Sequence, residues 1–131
     1  MSSSIPSHDP LSAGMATRRE VMGDHYVDQA VQRSAGTESD TIQHFITEHV
    51  WDGVWNRPGL GRRDRSLLNL GILTALRAQD ELVGHVRGAL NNGLSREEIT
   101  EAIVHTAGYC GAPAALAAMR AAQQVFDAQQ T

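Results

Sequence analysis

The sequence predicts an all-α single domain, a helical bundle of about six helices, and three observations carry that expectation. Apolar residues recur at helical rather than strand spacing, as at Ile42, Phe45, Ile46 and Val50. Helix-boundary signals stand between such segments: Ser39 and Asp40, NNG at 91–93, and SREE at 95–98. No stretch shows a convincing apolar–polar alternation of strand length. At 131 residues the chain can build one domain with a real core but not two.

Taken in order, residues 1–13 are rich in Ser and Pro and read as a disordered tail, leaving 14–131 as the domain. Residues 15–32 are helix-compatible, with Val21 followed by His25, and Val27 by Val31, at i+4; SAGTES (34–39) reads as a loop. A second helix starts at Ser39 or Asp40, both good N-caps. Ile42, Phe45, Ile46, His49 and Val50 form its inward stripe, and it ends near Trp55, before the turn NRPGLG. Across 62–78, Leu67, Leu68, Leu70, Ile72, Leu73 and Leu76 leave little polar face, so this segment is expected to be the central buried helix. The next helix spans 80–91 and closes on a left-handed C-cap at Asn92 or Gly93. Ser95 and Glu98 fit a capping box for a helix striped by Ile99, Ala102, Ile103 and Thr106. GYCGAP (108–113) is expected to break it, with Pro113 at N1 of a last, Ala-rich helix reaching about Ala128.

Composition narrows the function. Aromatic residues are 5% of the chain, so the core must come from Leu, Ile, Val and Ala. All eleven basic residues are arginine, which makes any anion site a planar, bidentate one. A net charge of −4 and a pI of 5.8 argue against a nucleic-acid partner. The one cysteine, Cys110, cannot form an internal disulfide, a CxxC redox pair or a cysteine-rich zinc site, and reads as a small buried hydrophobe. No signal peptide opens the sequence and no run is long enough to cross a bilayer, so the expectation is a cytoplasmic protein without a membrane partner.

The stretch DELVGHVRGALNNG (80–93) holds the strongest candidate site. On a wheel of about 100° per residue, Leu82, Val86, Ala89 and Leu90 form one apolar arc. Glu81 and His85 lie together on its edge, with Gly84 and Gly88 just beyond. That arrangement suits a pocket wall, with a carboxylate–imidazole pair able to move a proton. It equally suits a solvated i,i+4 pair worth about 0.3–0.5 kcal/mol, with glycines that let another helix approach. The other candidates are weaker singly. His44 and His49 stand about 140° apart on a helix and do not share a metal well. His105 reads as an interface histidine, Trp51 and Trp55 as core, and Arg57, Arg62, Arg63 and Arg65 as a solvated cluster around a turn.

Together the motifs form a pattern. GM-x2-RR-x-V (14–21), W-x3-W-x-RPGL (51–60), R-x2-RSL (62–67), EL-x2-H-x-R-x-A-x-NNG (81–93) and YCG-x-PAA (109–115) resemble the carboxymuconolactone decarboxylase family over nearly the whole chain. The resemblance implies an alkylhydroperoxidase-D-like helical fold and a homo-oligomer, a hexamer built as a trimer of dimers. It implies a carboxy-lyase that needs no cofactor and no metal and removes CO2 from a carboxylated lactone of protocatechuate catabolism. The peroxidase branch of that superfamily carries a CxxC before its histidine. Here those positions are Ala78 and Glu81, so neither the attacking nor the resolving thiol of a disulfide exchange is present.

For that chemistry His85 is expected to act as general acid or as donor to the lactone oxygen, with Glu81 orienting it, and the two roles could be exchanged. Arg65, then Arg57, is the natural fork for a substrate carboxylate. Trp51 and Tyr109 are expected to wall the pocket, with His105 nearby as the next acid. The rival readings are a relative acting on a different lactone or β-keto acid, a metal-dependent hydrolase using Glu81, His85 and His105, and a non-catalytic assembly subunit. Exposed Trp51 and Trp55 would favour oligomerisation.

Overall fold

The structure, a computed structural model, describes residues 7–129. Among these the chain is helical throughout, with seven α-helices and one π-helical segment. The all-α expectation holds, with one helix more than expected. The described residues divide into two compact units: the first runs to Glu20 and takes in Asp24–Pro58, and the second holds Val21–Gly23 and everything from Gly59 onward. Each is described by itself.

In the first unit, helix α1 (Pro10–Met22, through Glu20) begins inside the expected tail, so Pro10–Ala13 are helical; residues 1–6 lie outside the described residues. Gly23 takes φ +90°, a conformation that ends a helix, and α2 (Asp24–Ser34) restarts beyond it. The single helix expected over 15–32 is therefore two. Helix α3 (Ser39–Ile46) continues into the π segment Thr47–Asp52. Its expected stripe faces outward: Ile42, Phe45, His49 and Val50 are exposed, and α3 buries no residue at all. The inward line is instead Thr47, Trp51 and Trp55, spaced by four, with the two indoles stacked at 5.0 Å. Both tryptophans are buried, so the argument for oligomerisation from their exposure fails.

Gly14 explains how α1 lies so close to the π segment. A Cβ there would collide with the carbonyl of Thr47 and approach the backbone N of Asp52 to 3.2 Å. Backbone cannot yield as a flexible side chain can. Gly14→Ala is thus expected to destabilise the protein by about 1–3 kcal/mol, read as a lower urea midpoint with an unchanged m-value.

The second unit is built from α4 (Arg62–Ala75), α5 (Gln79–Asn91), α6 (Arg96–Cys110) and α7 (Ala112–Ala128). The more deeply buried helix is α5, not α4, although α4 also packs against all three others. Helix α5 buries Leu82, Gly84, Val86, Gly88 and Ala89. Helix α4 buries only Ser66, Leu70 and Thr74, and leaves Leu68, Ile72 and Leu76 as an exposed apolar stripe, with Leu76 69% exposed. The core is completed by Ile99 and Ile103 of α6 and by the alanines, Val125 and Phe126 of α7. A Cβ on Gly88 would stand 3.2 Å from Val21 and 3.3 Å from Met22, so this glycine does serve close packing. Asn91 Nδ2 donates to the Val21 carbonyl at 2.7 Å in the same place.

The helix ends follow local chemistry. Gly93 at φ +100° closes α5 as expected. The capping box forms in full: Glu98 N–H donates to Ser95 Oγ at 3.0 Å, and Ser95 N–H to Glu98 Oε1 at 3.0 Å. Arg63 pairs with the same Glu98 carboxylate. Helix α6 does not break at Gly108 but runs to Cys110, and the reversal is made by Gly111 at φ +92°. Pro113 accordingly sits at the second position of α7 rather than the first. Cys110 is exposed, against the expectation of a buried thiol. No helix among the described residues is long and apolar enough to cross a membrane.

Candidate active site

The inward arc of α5, Leu82, Val86 and Ala89, seals against the core and fixes the rotation of the helix. That rotation leaves His85 half-buried at the edge of the arc and Glu81, one turn earlier, exposed. From α4, Asn69 reaches across, its Nδ2 lying 3.4 Å from His85 Nδ1. With the amide NH2 as donor in this contact, Nδ1 accepts and the ring proton of a neutral His85 is carried on Nε2. Burial lowers the His85 pKa from 6.5 to about 4, and the Glu81 charge pulls the other way without overcoming it. At neutral pH the site therefore presents an uncharged imidazole whose N–H is an oriented donor.

Arg65 stands one turn before Asn69 on α4, half-buried and on the same side of that helix. Farther up, Asn92 Nδ2 donates to Ser66 Oγ at 2.8 Å, tying the start of α4 to the end of α5 and holding the two helices in register around the histidine. His105 and Tyr109 form a second, separate pair on α6. Their rings are 5.1 Å apart, both residues are exposed, and Tyr109 is 83% exposed. Trp51, buried against Trp55, and Arg57, exposed in the following turn, belong to the first unit. The structure thus brings together Glu81, His85 and Asn69, and pairs His105 with Tyr109. Among the described residues no three His, Cys, Asp or Glu side chains group as a metal site would need.

Asn69 is the residue that sequence reasoning missed. Its signal was present: it is the one amide in the apolar run from Leu67 to Leu76, four residues after Arg65. A side chain that polar, in a helix read as buried, requires a partner.

Comparison with known proteins bears on the family. The profile of the Carboxymuconolactone decarboxylase family matches residues 40–124. The chain is 44% identical over 114 residues to nitrosuccinic acid decarboxylase npaB of Metarhizium robertsii, covering 87% of this chain and 79% of that protein. It is 41% identical over 113 residues to 4-carboxymuconolactone decarboxylase of Acinetobacter baylyi, covering 86% and 84% respectively. An uncharacterized 15.0 kDa protein of Paracoccus denitrificans is 36% identical over 88 residues, 66% of each chain.

Proposed function

Since this chain belongs to the carboxymuconolactone decarboxylase family, we propose that it removes CO2 from 4-carboxymuconolactone to give β-ketoadipate enol-lactone in protocatechuate catabolism. It is a carboxy-lyase, as are both named relatives. The observation that supports the mechanistic reading is His85 itself, half-buried with the Asn69 amide against Nδ1 and its pKa lowered by burial.

In the lactone one ring carbon bears both the departing carboxylate and an acetate arm. As CO2 leaves, its bonding pair moves through the ring double bond onto the lactone carbonyl oxygen, giving a furanolate-like dienolate. The substrate is its own electron sink, so the reaction needs no cofactor. Charge appears on an oxygen, and a fixed N–H donor there stabilises the transition state more than the ground state. We assign that donation to His85 Nε2. Glu81, exposed one turn away, relays a proton from water to the ring α-carbon once CO2 is gone. Arg65 holds the acetate carboxylate in a bidentate grip.

A second reading has its own support, the 44% identity to the nitrosuccinic acid decarboxylase. Loss of a carboxylate beside a nitro group leaves a nitronate, again with charge on oxygen and a second carboxylate to anchor. The same donor and the same arginine would serve. The test is to supply 4-carboxymuconolactone, made in situ with a cycloisomerase, and nitrosuccinate in parallel, following CO2. Rapid release from the lactone alone supports the first reading. The reverse ranking removes the pathway and keeps the lyase, and acceleration of neither sinks both.

We also propose a cytoplasmic homo-oligomer, a hexamer arranged as a trimer of dimers. Its support is now the exposed stripe Leu68, Ile72 and Leu76 rather than the tryptophans.

Asn69→Asp tests the positioning directly. A carboxylate at that place accepts from Nδ1–H, so the ring proton moves off Nε2 and the His85 pKa rises. Turnover is expected to fall roughly 10- to 100-fold. The 15N shifts of the His85 ring should report the exchanged tautomer; an unchanged tautomer would remove Asn69 from this role.

A further inference from the structure

We infer that the first unit carries a binding site for a small organic carboxylate with an apolar body, anchored by Arg18. A cavity of about 280 Å³ opens between α1, α2 and α3, with Leu11, Met15 and Val31 as its apolar walls and Arg18, Gln43 and His44 as its polar ones. All its lining residues come from the first unit, so the inference stands apart from the reaction proposed at His85.

The guanidinium is the decisive feature. Arg18 is only 7% exposed, yet its hydrogen bonds run to neutral groups: Nη1 to Thr47 Oγ1 at 3.3 Å and Nη2 to Gln43 Oε1 at 2.7 Å. Thr47 gives its own hydroxyl hydrogen to the Gln43 carbonyl at 2.8 Å, so only its lone pairs serve the arginine. No acidic side chain pairs with Arg18 among the described residues. The contrast with its neighbour is plain, since the more exposed Arg19 holds both Asp24 and Asp28, at 3.2 and 2.8 Å. The chain therefore spends two carboxylates on the arginine that water already serves and none on the buried one.

A buried guanidinium without a counter-ion is costly, and burial lowers the Arg18 pKa from its usual value. A ligand carboxylate resolves that cost. Guanidinium has five N–H donors in a fixed fork and two are used here, which leaves donors for a carboxylate. With its Oε1 taken by Arg18, Gln43 has its NH2 left to donate. The one acid in the lining, Asp40, stands 3.7 Å from His44 Nε2 and answers that histidine. A single negative charge with a hydrocarbon tail matches this mixture of one unneutralised cation and apolar walls; a compact polyanion such as phosphate does not.

The test uses the full chain, titrated calorimetrically with hexanoate, with its uncharged analogue hexanamide and with inorganic phosphate. Saturable hexanoate binding, at least tenfold tighter than hexanamide or phosphate, is the expected result. Arg18→Met should weaken it about 10- to 100-fold, the worth of a charged hydrogen-bonded contact. If that variant does not fold, Ser12→Phe serves instead: Ser12 is an exposed part of the cavity rim, and the larger side chain blocks the space while the arginine stays in place. Equal binding of hexanoate and hexanamide, a preference for phosphate, no binding, or hexanoate binding that survives the substitution would each overturn the proposal. A cavity filled by a second copy of the chain would show as no binding.

Discussion

Replacing His85 with alanine is expected to lower kcat by about 10²–10³, the usual effect of deleting one oriented donor to a developing oxyanion. The ring is half-buried, its Nδ1 faces the Asn69 amide, and its pKa lies near 4. A general acid of the imidazolium type would be almost fully deprotonated at neutral pH in such a place. A neutral donor is at full strength there. The two roles separate in the pH profile. A donor gives a kcat that stays flat from pH 7 down to about 5, with no inflection near 6.5, whereas an imidazolium acid gives a rate rising steadily as the pH falls. His85→Gln, which keeps an N–H at the end of the side chain, should recover part of the alanine loss. A loss under tenfold in His85→Ala would remove the histidine from the chemistry.

The same residue should govern acid stability. In the unfolded chain His85 titrates near 6.5 and in the folded protein near 4. Below 6.5 the unfolded state therefore binds a proton that the native state refuses, and stability falls with pH. The loss begins near pH 6.5, deepens to about pH 4 and then levels, reaching on the order of 2–3 kcal/mol. Glu98 and Asp52, whose pKa values are lowered mainly by hydrogen bonds, from the Ser95 backbone and from His8 respectively, also lose stabilisation on acidification, but at lower pH. Urea titrations of wild type and His85→Gln at several pH values isolate the histidine. The difference between the two proteins should grow in the acid direction between pH 6.5 and 4, and parallel curves would show that burial does not depress this pKa.

What could be read in advance was whatever is encoded locally. The Ser95–Glu98 box and the Gly93 cap each depend on a few neighbouring residues, and both formed as expected. The orientation of α4 could not be read that way. A helix with Leu67, Leu68, Leu70, Ile72, Leu73 and Leu76 has apolar residues on nearly every side, so its pattern does not say which side turns inward. The choice fell to Ser66, Leu70 and Thr74, because small residues there admit the neighbouring helices and the two hydroxyls find partners, Asn92 on Ser66 and the Leu70 carbonyl for Thr74. On α3 the apolar stripe was real but turned outward, with Trp51 and Thr47 of the π segment taking the interior. Asn69 and Arg18 were hidden for a related reason. Their partners lie 16 residues away for Asn69, and 25 and 29 residues away for Arg18, and no local pattern announces them.

The last helix has a consequence for how this protein can change over time. Its inward face is mostly alanine, with Ala114, Ala115, Ala117, Ala118, Ala121 and Ala122 all buried. Alanine gives up no side-chain freedom on burial and fills almost no volume, so the helix is held by how near its backbone comes to α5 and α6. Each of these six positions therefore holds the smallest residue that carries a side chain, and every substitution except glycine adds atoms where there is little room. Most single changes along this face should be purged by selection, while the exposed Leu116 between them is free to drift. A random-mutagenesis library selected for folding would leave that mark: six nearly invariant alanines around one variable position.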